Sequence, residues 1–150
     1  MKATFGAGCF WHVEDLLSKT KGVTSTAVGY IGGQLPNPTY EEVCTAQTGH
    51  AEAVEVEFNP DEITYEALLD IFWRNHNPTT LNRQGPEVGN QYRSAIFYHD
   101  EVQKEIAEKS KQSLDSSKSF NDPIVTQIIP APKFYKAEEY HQKYFKKQGF

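Results

Sequence analysis

The spacing of apolar residues along this chain switches repeatedly between the period of a strand and the period of a helix. Residues 53–58 alternate between apolar and acidic side chains, which predicts a half-buried strand. Residues 65–73 carry apolar side chains at i, i+3, i+4, i+7 and i+8, which predicts an amphipathic helix. A chain that mixes both patterns buries its apolar faces by packing helices on a sheet.

The same reasoning over the whole chain predicts an α+β fold, a two-layer sandwich of helices on a mixed sheet with a split βαβ core. With 150 residues, no linker and no repeat, the sequence predicts a single domain at 1–150. The predicted strands are 2–6, 23–31, 53–58, 94–98 and 124–129. The predicted helices run from residue 10 to a C-cap at Gly22, from a capping box at Thr39 and Glu42, over 65–73, from Asp100 to about 117, and over 136–146.

Charge and hydropathy exclude two classes of function. The net charge is -5 with both signs mixed along the chain, and the basic clusters are as short as Lys146-Lys147, so we expect no nucleic-acid partner. No apolar run approaches the ~20 residues of a membrane span, so we expect no membrane partner. No apolar signal core follows the first residues, which favours a cytoplasmic protein whose two cysteines are free thiols.

Cys9 is the first candidate for chemistry, because it follows the turn at residues 6–8 where a strand meets a helix. The N–H groups of a helix N-terminus favour thiolate, and this placement commonly lowers the pKa of a free cysteine from about 8.5. Cys9 would then be a nucleophile. The alternative, a buried cysteine that fills core space, is equally compatible with the sequence.

Four aromatic residues are further candidates for the site. Two of them are sequence neighbours of Cys9, and the other two lie in loop regions elsewhere in the chain. Phe10 and Trp11 follow Cys9 directly and either wall an apolar pocket or pack in the core. Tyr40 and Tyr92 lie in loop regions and either donate hydroxyl hydrogen bonds or pack as half-buried rings.

Two carboxyls are candidates for a general acid. Glu52 begins the alternating strand, and Glu14 lies in the helix after Cys9. A carboxyl in an apolar pocket keeps its proton near neutral pH and can donate it, whereas most glutamates are solvated surface charges. The long polar loop at 75–92 is typical of a functional or disordered segment.

The five histidines show no metal-ligand spacing, and neither HExxH nor CxxC occurs. The Gly-rich residues 29–33 contain no GxGxxG or Walker pattern. The sequence therefore predicts neither a metal nor a nucleotide cofactor.

Six blocks of the sequence together resemble the peptide methionine sulfoxide reductase A family, and the resemblance runs from about residue 4 to about residue 146. The resemblance rests on several specific positions in each block, in order and at the spacing of the family. The blocks are GCFW (8–11) followed by Glu14, NPTYEEVC (37–44), TGHAEAVEV (48–56), PTTLNRQG (78–85), VGNQYRSAIFYH (88–99) and AEEYHQKY (137–144).

The resemblance implies a cofactor-free reductase, with a ferredoxin-like core, that acts on the S epimer of protein-bound and free methionine sulfoxide. It implies that Cys9 attacks the sulfoxide sulfur and is left as a sulfenic acid, while Glu52 protonates the oxygen. The other implied contacts are hydroxyls on that oxygen from Tyr40 and Tyr92, and a methyl pocket at Phe10 and Trp11.

Three positions depart from the family pattern. Glu87 stands where the family usually has Asp, which keeps a carboxylate at an expected substrate-binding position but lengthens its arm. His12 replaces a usual Gly, and Asn77 replaces a common Asp. Many members also continue into a Gly-rich tail with resolving cysteines, and we find none before Phe150.

The sequence leaves open how the Cys9 sulfenic acid is cleared. Cys44 could form a disulfide with Cys9 if the Cα atoms lie within about 7 Å, or it could be a buried structural residue, which we favour. We therefore expect a one-cysteine enzyme, a monomer, whose partners are oxidised proteins and peptides and an external thiol: thioredoxin, glutaredoxin or a small thiol. Two alternatives are a Cys-based hydrolase or acyl transferase, which needs a histidine paired with Cys9, and a peroxide-sensing thiol protein.

Overall fold

A six-stranded mixed sheet forms the centre of the computed structural model, which describes residues 1–149. The strands are β1 (Lys2–Ala7), β2 (Val23–Ile31), β3 (Ala51–Phe58), β4 (Arg83–Gln84), β5 (Glu87–Val88), β6 (Ser94–Tyr98), β7 (Gln127–Pro130) and β8 (Tyr135–Lys136). The helices are α1 (Phe10–Ser18), α2 (Tyr40–Cys44), α3 (Tyr65–Arg74), α4 (Glu101–Ser116) and α5 (Tyr144–Lys147). None of these helices is long and apolar enough to cross a bilayer.

The strand order in the large sheet is β7-β6-β1-β3-β2-β8, and every neighbouring pair is antiparallel except β6 and β7. Helix α1 connects β1 to β2 across β3, and α3 connects β3 to β6 across β1. This β-α-β-β-α-β arrangement is a split βαβ core. The prediction of an α+β fold with helices on a mixed sheet is confirmed.

The two faces of β3 bury different neighbours. Val54 and Val56 belong to the large core, which α1 and α3 cover, while Ala51 and Ala53 belong to a smaller cluster on the other face. Because side chains alternate along a strand, Glu52 lies on the same face as Val54 and Val56. The strand therefore directs this carboxyl toward the helical layer.

Side chains that cap the helices fix where two of them begin. The Thr39 hydroxyl accepts the N–H of Glu42, whose carboxylate accepts the N–H of Thr39 in return, so the predicted capping box is confirmed. Asp100 accepts the N–H of Gln103. The Gln103 side chain, however, accepts the N–H of His99, so the second box is only half formed.

Several predicted boundaries differ from the structure. Helix α1 ends at Ser18, and Gly22, with φ of +98°, serves the turn into β2 instead of capping the helix. The strand predicted at 124–129 lies at Gln127–Pro130. The loop at 75–92 contains the β4-β5 hairpin and a 3-10 turn at Asn90–Tyr92, so it has structure of its own.

The amphipathic helix predicted over 136–146 is wrong. The segment forms β8, a 3-10 turn at Glu139–His141 and the short α5. Lys143, with φ of +52°, interrupts any continuous helix. The Gln142 amide pairs with both the N–H and the C=O of Val28, each at 2.9 Å, so tertiary contacts override the local periodicity.

Candidate active site

Cys9 lies at the turn between β1 and α1, as its neighbours in the sequence predicted. Gly8 has φ of +89°, and a Cβ added there would lie 2.8 Å from Cγ of Gln84, so a glycine is needed at this turn. Cys9 is the N-cap residue of α1, its side chain makes no capping hydrogen bond, and it is half-buried. The sulfur is thus fixed at a helix N-terminus without being sealed in the core.

Strand β3 brings Glu52 beside the same turn. Phe5 of β1 pairs with Val54 of β3, so Glu52 lies toward the end of β1 that runs into Cys9. The Glu52 residue is 2% exposed, and its Oε1 accepts the N–H of Phe10 at 3.2 Å. Its Oε2 has no hydrogen-bond partner among residues 1–149, which leaves an acceptor or donor position for a ligand.

Burial holds the Glu52 carboxyl in its neutral form. Desolvation raises its pKa to about 8, the N–H of Phe10 lowers it by less, and the charge of Glu87 adds to the rise. Glu52 therefore carries a proton at pH 7, as a general acid must.

The thiol of Cys9 differs from the prediction. Burial raises its pKa to about 11; the N–H groups of Trp11 and His12 lower it, and the charges of Glu52 and Glu87 raise it further. The first N–H of α1 is donated to Glu52 instead of the sulfur. The helix terminus therefore does not outweigh desolvation, and Cys9 is a neutral thiol at pH 7 in the free protein.

Tyr40 and Tyr92 reach the site from α2 and from the 3-10 turn. Burial raises the pKa of Tyr92 to about 12, and the charge of Glu52 adds to the rise. Burial also raises the pKa of Tyr40, with contributions from Cys44 and Glu52. Both hydroxyls keep their protons at neutral pH and can donate hydrogen bonds beside the carboxyl.

Phe10 and Trp11 occupy different environments. Phe10 is 1% exposed and packs in the large core, its ring centroid 5.8 Å from that of Tyr30. Trp11 is half-buried and stacks on Tyr144, with ring centroids 3.8 Å apart and planes 9° apart. Of the two residues, Trp11 offers the larger surface to a ligand.

His141 is a site residue that the analysis of single residues missed. It is fully buried, and its Nδ1 accepts the Trp11 indole N–H at 2.9 Å. Its ring lies 4.5 Å from that of Tyr40, and its Nε2 has no hydrogen-bond partner within residues 1–149. The signal was present in the block AEEYHQKY, but one histidine without metal spacing did not single it out.

Two carboxylates fasten the segment that carries His141. Glu14, a general-acid candidate, accepts the Thr26 hydroxyl at 2.8 Å and the N–H of Lys143 at 2.6 Å, so it anchors the C-terminal segment to α1 and β2. Glu138 accepts the hydroxyl of Tyr30 and the N–H of Tyr40. These contacts fix His141 and Tyr40 relative to each other.

Glu87, at the start of β5, lies close enough to act electrostatically on both Cys9 and Glu52. It raises the pKa of each. The structure thus places the position that departs from the family pattern at the edge of the site.

Cys44 is the last residue of α2 and is exposed, so the prediction of a buried structural cysteine is wrong. The Tyr40 hydroxyl donates to its thiol. Cys9 and Cys44 are both free, so the structure holds no disulfide between them.

The site combines the Cys9 thiol and the neutral carboxylic acid of Glu52 with two phenols that interact with that acid. The charged side chains that shift the pKa of Cys9 are the carboxylates of Glu52 and Glu87, whereas a hydrolase requires an imidazole paired with the thiol. Within residues 1–149, no group of three or more His, Cys, Asp or Glu side chains is placed to hold a metal ion. Such a site defines a thiol enzyme that works with a general acid.

The chain belongs to the peptide methionine sulfoxide reductase family, whose sequence model matches residues 1–149. It is 63% identical over 146 residues to peptide methionine sulfoxide reductase MsrA of Methanothermobacter thermautotrophicus, covering 97% of this chain and 86% of that protein. It is 59% identical over 149 residues to MsrA of Methanosarcina acetivorans, covering 99% and 79%.

Solved structures of this family have the same fold as this chain. Reduced Mxr1 from Saccharomyces cerevisiae matches with a TM-score of 0.93 at 37% identity, over 99% of this chain and 86% of that one. Mxr1 in complex with Trx2 matches with a TM-score of 0.68 at 27% identity, over 96% and 84%.

Proposed function

We propose that this chain, as one catalytic domain, reduces the S epimer of methionine sulfoxide, in proteins and as the free amino acid, to methionine. The observation that carries the proposal is the neutral carboxyl of Glu52, held by the N–H of Phe10 at the turn where Cys9 lies. A sulfoxide oxygen leaves only when it is protonated, and a protonated acid beside a thiol meets that requirement.

The first step begins with both protons in place. Glu52 transfers its proton to the sulfoxide oxygen, which makes the sulfoxide sulfur electrophilic. The Cys9 sulfur then attacks the sulfoxide sulfur while its own proton passes to the Glu52 carboxylate, so a neutral thiol needs no prior ionisation. The hydroxyl migrates from the sulfoxide sulfur to the Cys9 sulfur, which breaks the S–O bond of the substrate, and the new S–S bond breaks with its electron pair on the thioether. The oxygen ends as a hydroxyl on Cys9, the thioether leaves, and the thiol sulfur has supplied two electrons.

The neighbouring side chains orient the substrate. Tyr40 and Tyr92 donate hydrogen bonds to the sulfoxide oxygen, because both hydroxyls stay protonated beside Glu52; Tyr40 does so by turning its hydroxyl away from the Cys44 thiol. Trp11, with Phe10 behind it, supplies the apolar wall for the methyl group. We place Glu87 at the substrate-binding edge.

An external thiol then reduces the sulfenic acid of Cys9. Thioredoxin is a candidate because a structural relative is known in complex with Trx2; glutaredoxin and small thiols are further candidates. A reducing compartment supplies such thiols, which is why we propose the cytoplasm.

The function is tested with purified protein, dithiothreitol and peptides that carry each epimer of methionine sulfoxide. We expect turnover of the S epimer and none of the R epimer, and we expect Cys9→Ser to abolish it. Inactivity on both epimers, with sulfenic acid formed only by peroxide, would replace the proposal with a redox sensor.

Cys44→Ser is the matched cysteine variant. We expect it to keep most of the dithiothreitol-supported activity, because an external thiol resolves Cys9. If this variant stops after one equivalent of product while wild type continues, Cys44 is the resolving residue.

A further inference from the structure

A cavity of about 310 Å³ lies between helices α1 and α3, and Cys9 is one of its lining residues. Its walls are apolar, with Val13 and Leu16 from α1 and Ile71 and Phe72 from α3. The exposed side chains of His12 and Asn75, together with Gln84 and Glu87 of the hairpin, supply polar groups to the lining.

Of the residues proposed to act on the sulfoxide, Cys9 and the edge residue Glu87 also line this cavity. Glu52, Tyr40 and Tyr92 do not line it. Cys9 thus borders both the group formed by the acid and the phenols and the aliphatic walls of this cavity. The proposed first step uses only the former.

The second half of the reaction needs an approach from another direction. The first step leaves a hydroxyl on the Cys9 sulfur, on the side where Glu52 and the tyrosines hold oxygen. A thiolate that displaces this hydroxyl must attack sulfur roughly in line with the S–O bond, from the side opposite the oxygen. The cavity provides open space at Cys9 that neither the acid nor the phenols line.

We propose that this cavity is the entry site for a small aliphatic thiol that resolves the Cys9 sulfenic acid. This inference rests on the proposed function and adds the location and chemical class of its reductant. The thiol loses its proton to solvent and its sulfur bonds to the Cys9 sulfur, the S–O bond breaks, and the hydroxyl leaves as water with a proton from Glu52, which then takes up a proton from solvent. A second thiol then attacks the mixed disulfide, releasing Cys9 as a thiol and the reductant as a disulfide.

The size and lining of the cavity match this class of ligand. About 310 Å³ is at the lower end of small-molecule sites. Methylene groups of the thiol would pack against Leu16 and Ile71, and a polar end group would remain near His12 and Asn75. A folded protein is too large to enter, although it could present a single cysteine side chain.

The test separates the two half-reactions by stopped flow. Leu16→Phe and Ile71→Phe fill the cavity, and Val102→Phe, on the exposed face of α4, is the matched control. Methionine formed in one turnover without reductant measures the first step. The second-order rate of sulfenic acid loss with 2-mercaptoethanol measures the second.

We expect the filled variants to keep the first-step rate and to lose roughly tenfold or more in the second, because close approach of the two sulfurs is blocked. Unchanged rates in both steps would overturn the proposal. A slower first step with normal resolution would assign the cavity to the methionine sulfoxide side chain instead. Absence of any methionine in wild type would reject the proposed function itself, which is a distinguishable failure.

A variant that enlarges the cavity tests the proposal independently, in case the variants that fill the cavity fail to fold. Leu16→Ala should increase the rate with a bulky aromatic thiol relative to the rate with 2-mercaptoethanol. An unchanged ratio of the two rates would contradict the proposal.

Discussion

The backbone N–H of Phe10 donates to Oε1 of Glu52 at 3.2 Å, across 42 positions of sequence, and joins the start of helix α1 to strand β3. One N–H only partly offsets the burial of the carboxyl, and the other carboxyl oxygen has no partner within residues 1–149. The bond therefore positions the acid beside Cys9 while leaving it protonated.

Glu52→Gln is expected to raise the free energy of unfolding, and the gain should grow with pH. The pKa of the carboxyl is about 8 in the folded protein, against the ordinary value of 4.5 for a glutamate. The stability that the neutral Glu52 carboxyl contributes to the folded protein is fully present below pH 4.5 and is lost as the pH rises through 8. Because Gln does not ionise, the variant does not suffer this loss. Urea unfolding at pH 4.5 and pH 9 measures the difference.

The exposed Glu62, as Glu62→Gln, is the control for that experiment. If Glu52→Gln differs from wild type by the same amount at both pH values, Glu52 does not titrate near 8 in the folded protein.

His76 predicts a loss of stability on acidification. Its Nδ1 donates to the C=O of Phe72 and its Nε2 accepts the hydroxyl of Ser94. Burial lowers its pKa from 6.5 to about 4. The stabilisation is fully present above pH 6.5 and is lost as the pH falls toward 4, by up to ~3 kcal/mol.

The measurement is the unfolding free energy at pH 7 and pH 5 for wild type and His76→Gln. The variant is less stable at pH 7 but should lose less on acidification. His12→Gln, an exposed histidine, is the control. An identical pH dependence in wild type and His76→Gln would refute the role of this imidazole.

The sequence predicted features that depend on near neighbours and missed those that depend on distant partners. The box of Thr39 and Glu42 spans three residues and was recognised. The fold of the C-terminal segment depends on Gln142 binding Val28, which is 114 positions away, so periodicity alone gave a helix there.

The site residues likewise divide into those predicted from near neighbours and those that depend on distant partners. The strand-helix turn at Cys9 follows from local sequence, but the thiol pKa depends on burial by the assembled fold, and the predicted direction was wrong. The identity of Glu52 as a candidate acid came from the sequence. The role of His141 as a partner of Trp11 became visible only when the two ends of the chain were brought together.

Glu14→Ala should disturb the site from a distance. It leaves the Thr26 hydroxyl and the N–H of Lys143 unpaired, with a cost of about 1–3 kcal/mol. The segment that carries His141 then loosens, so KM for a sulfoxide peptide should rise more than kcat falls. Steady-state kinetics and Trp fluorescence are the measurements.

Asp15→Ala is the matched control, because Asp15 lies on the same helix and its carboxylate forms an ion pair with the exposed Lys19. Its effect on stability should stay within about 0.5 kcal/mol. Equal changes of KM in the two variants would contradict the anchoring role of Glu14.

The most direct test of the acid–thiol account is the single-turnover rate of methionine formation, without reductant, in wild type and Glu52→Gln. Gln cannot transfer the proton, so the rate should fall about 10²- to 10⁴-fold while the Kd for the sulfoxide peptide changes little. A Glu52→Gln rate equal to that of wild type would show that the sulfoxide oxygen receives its proton from another group.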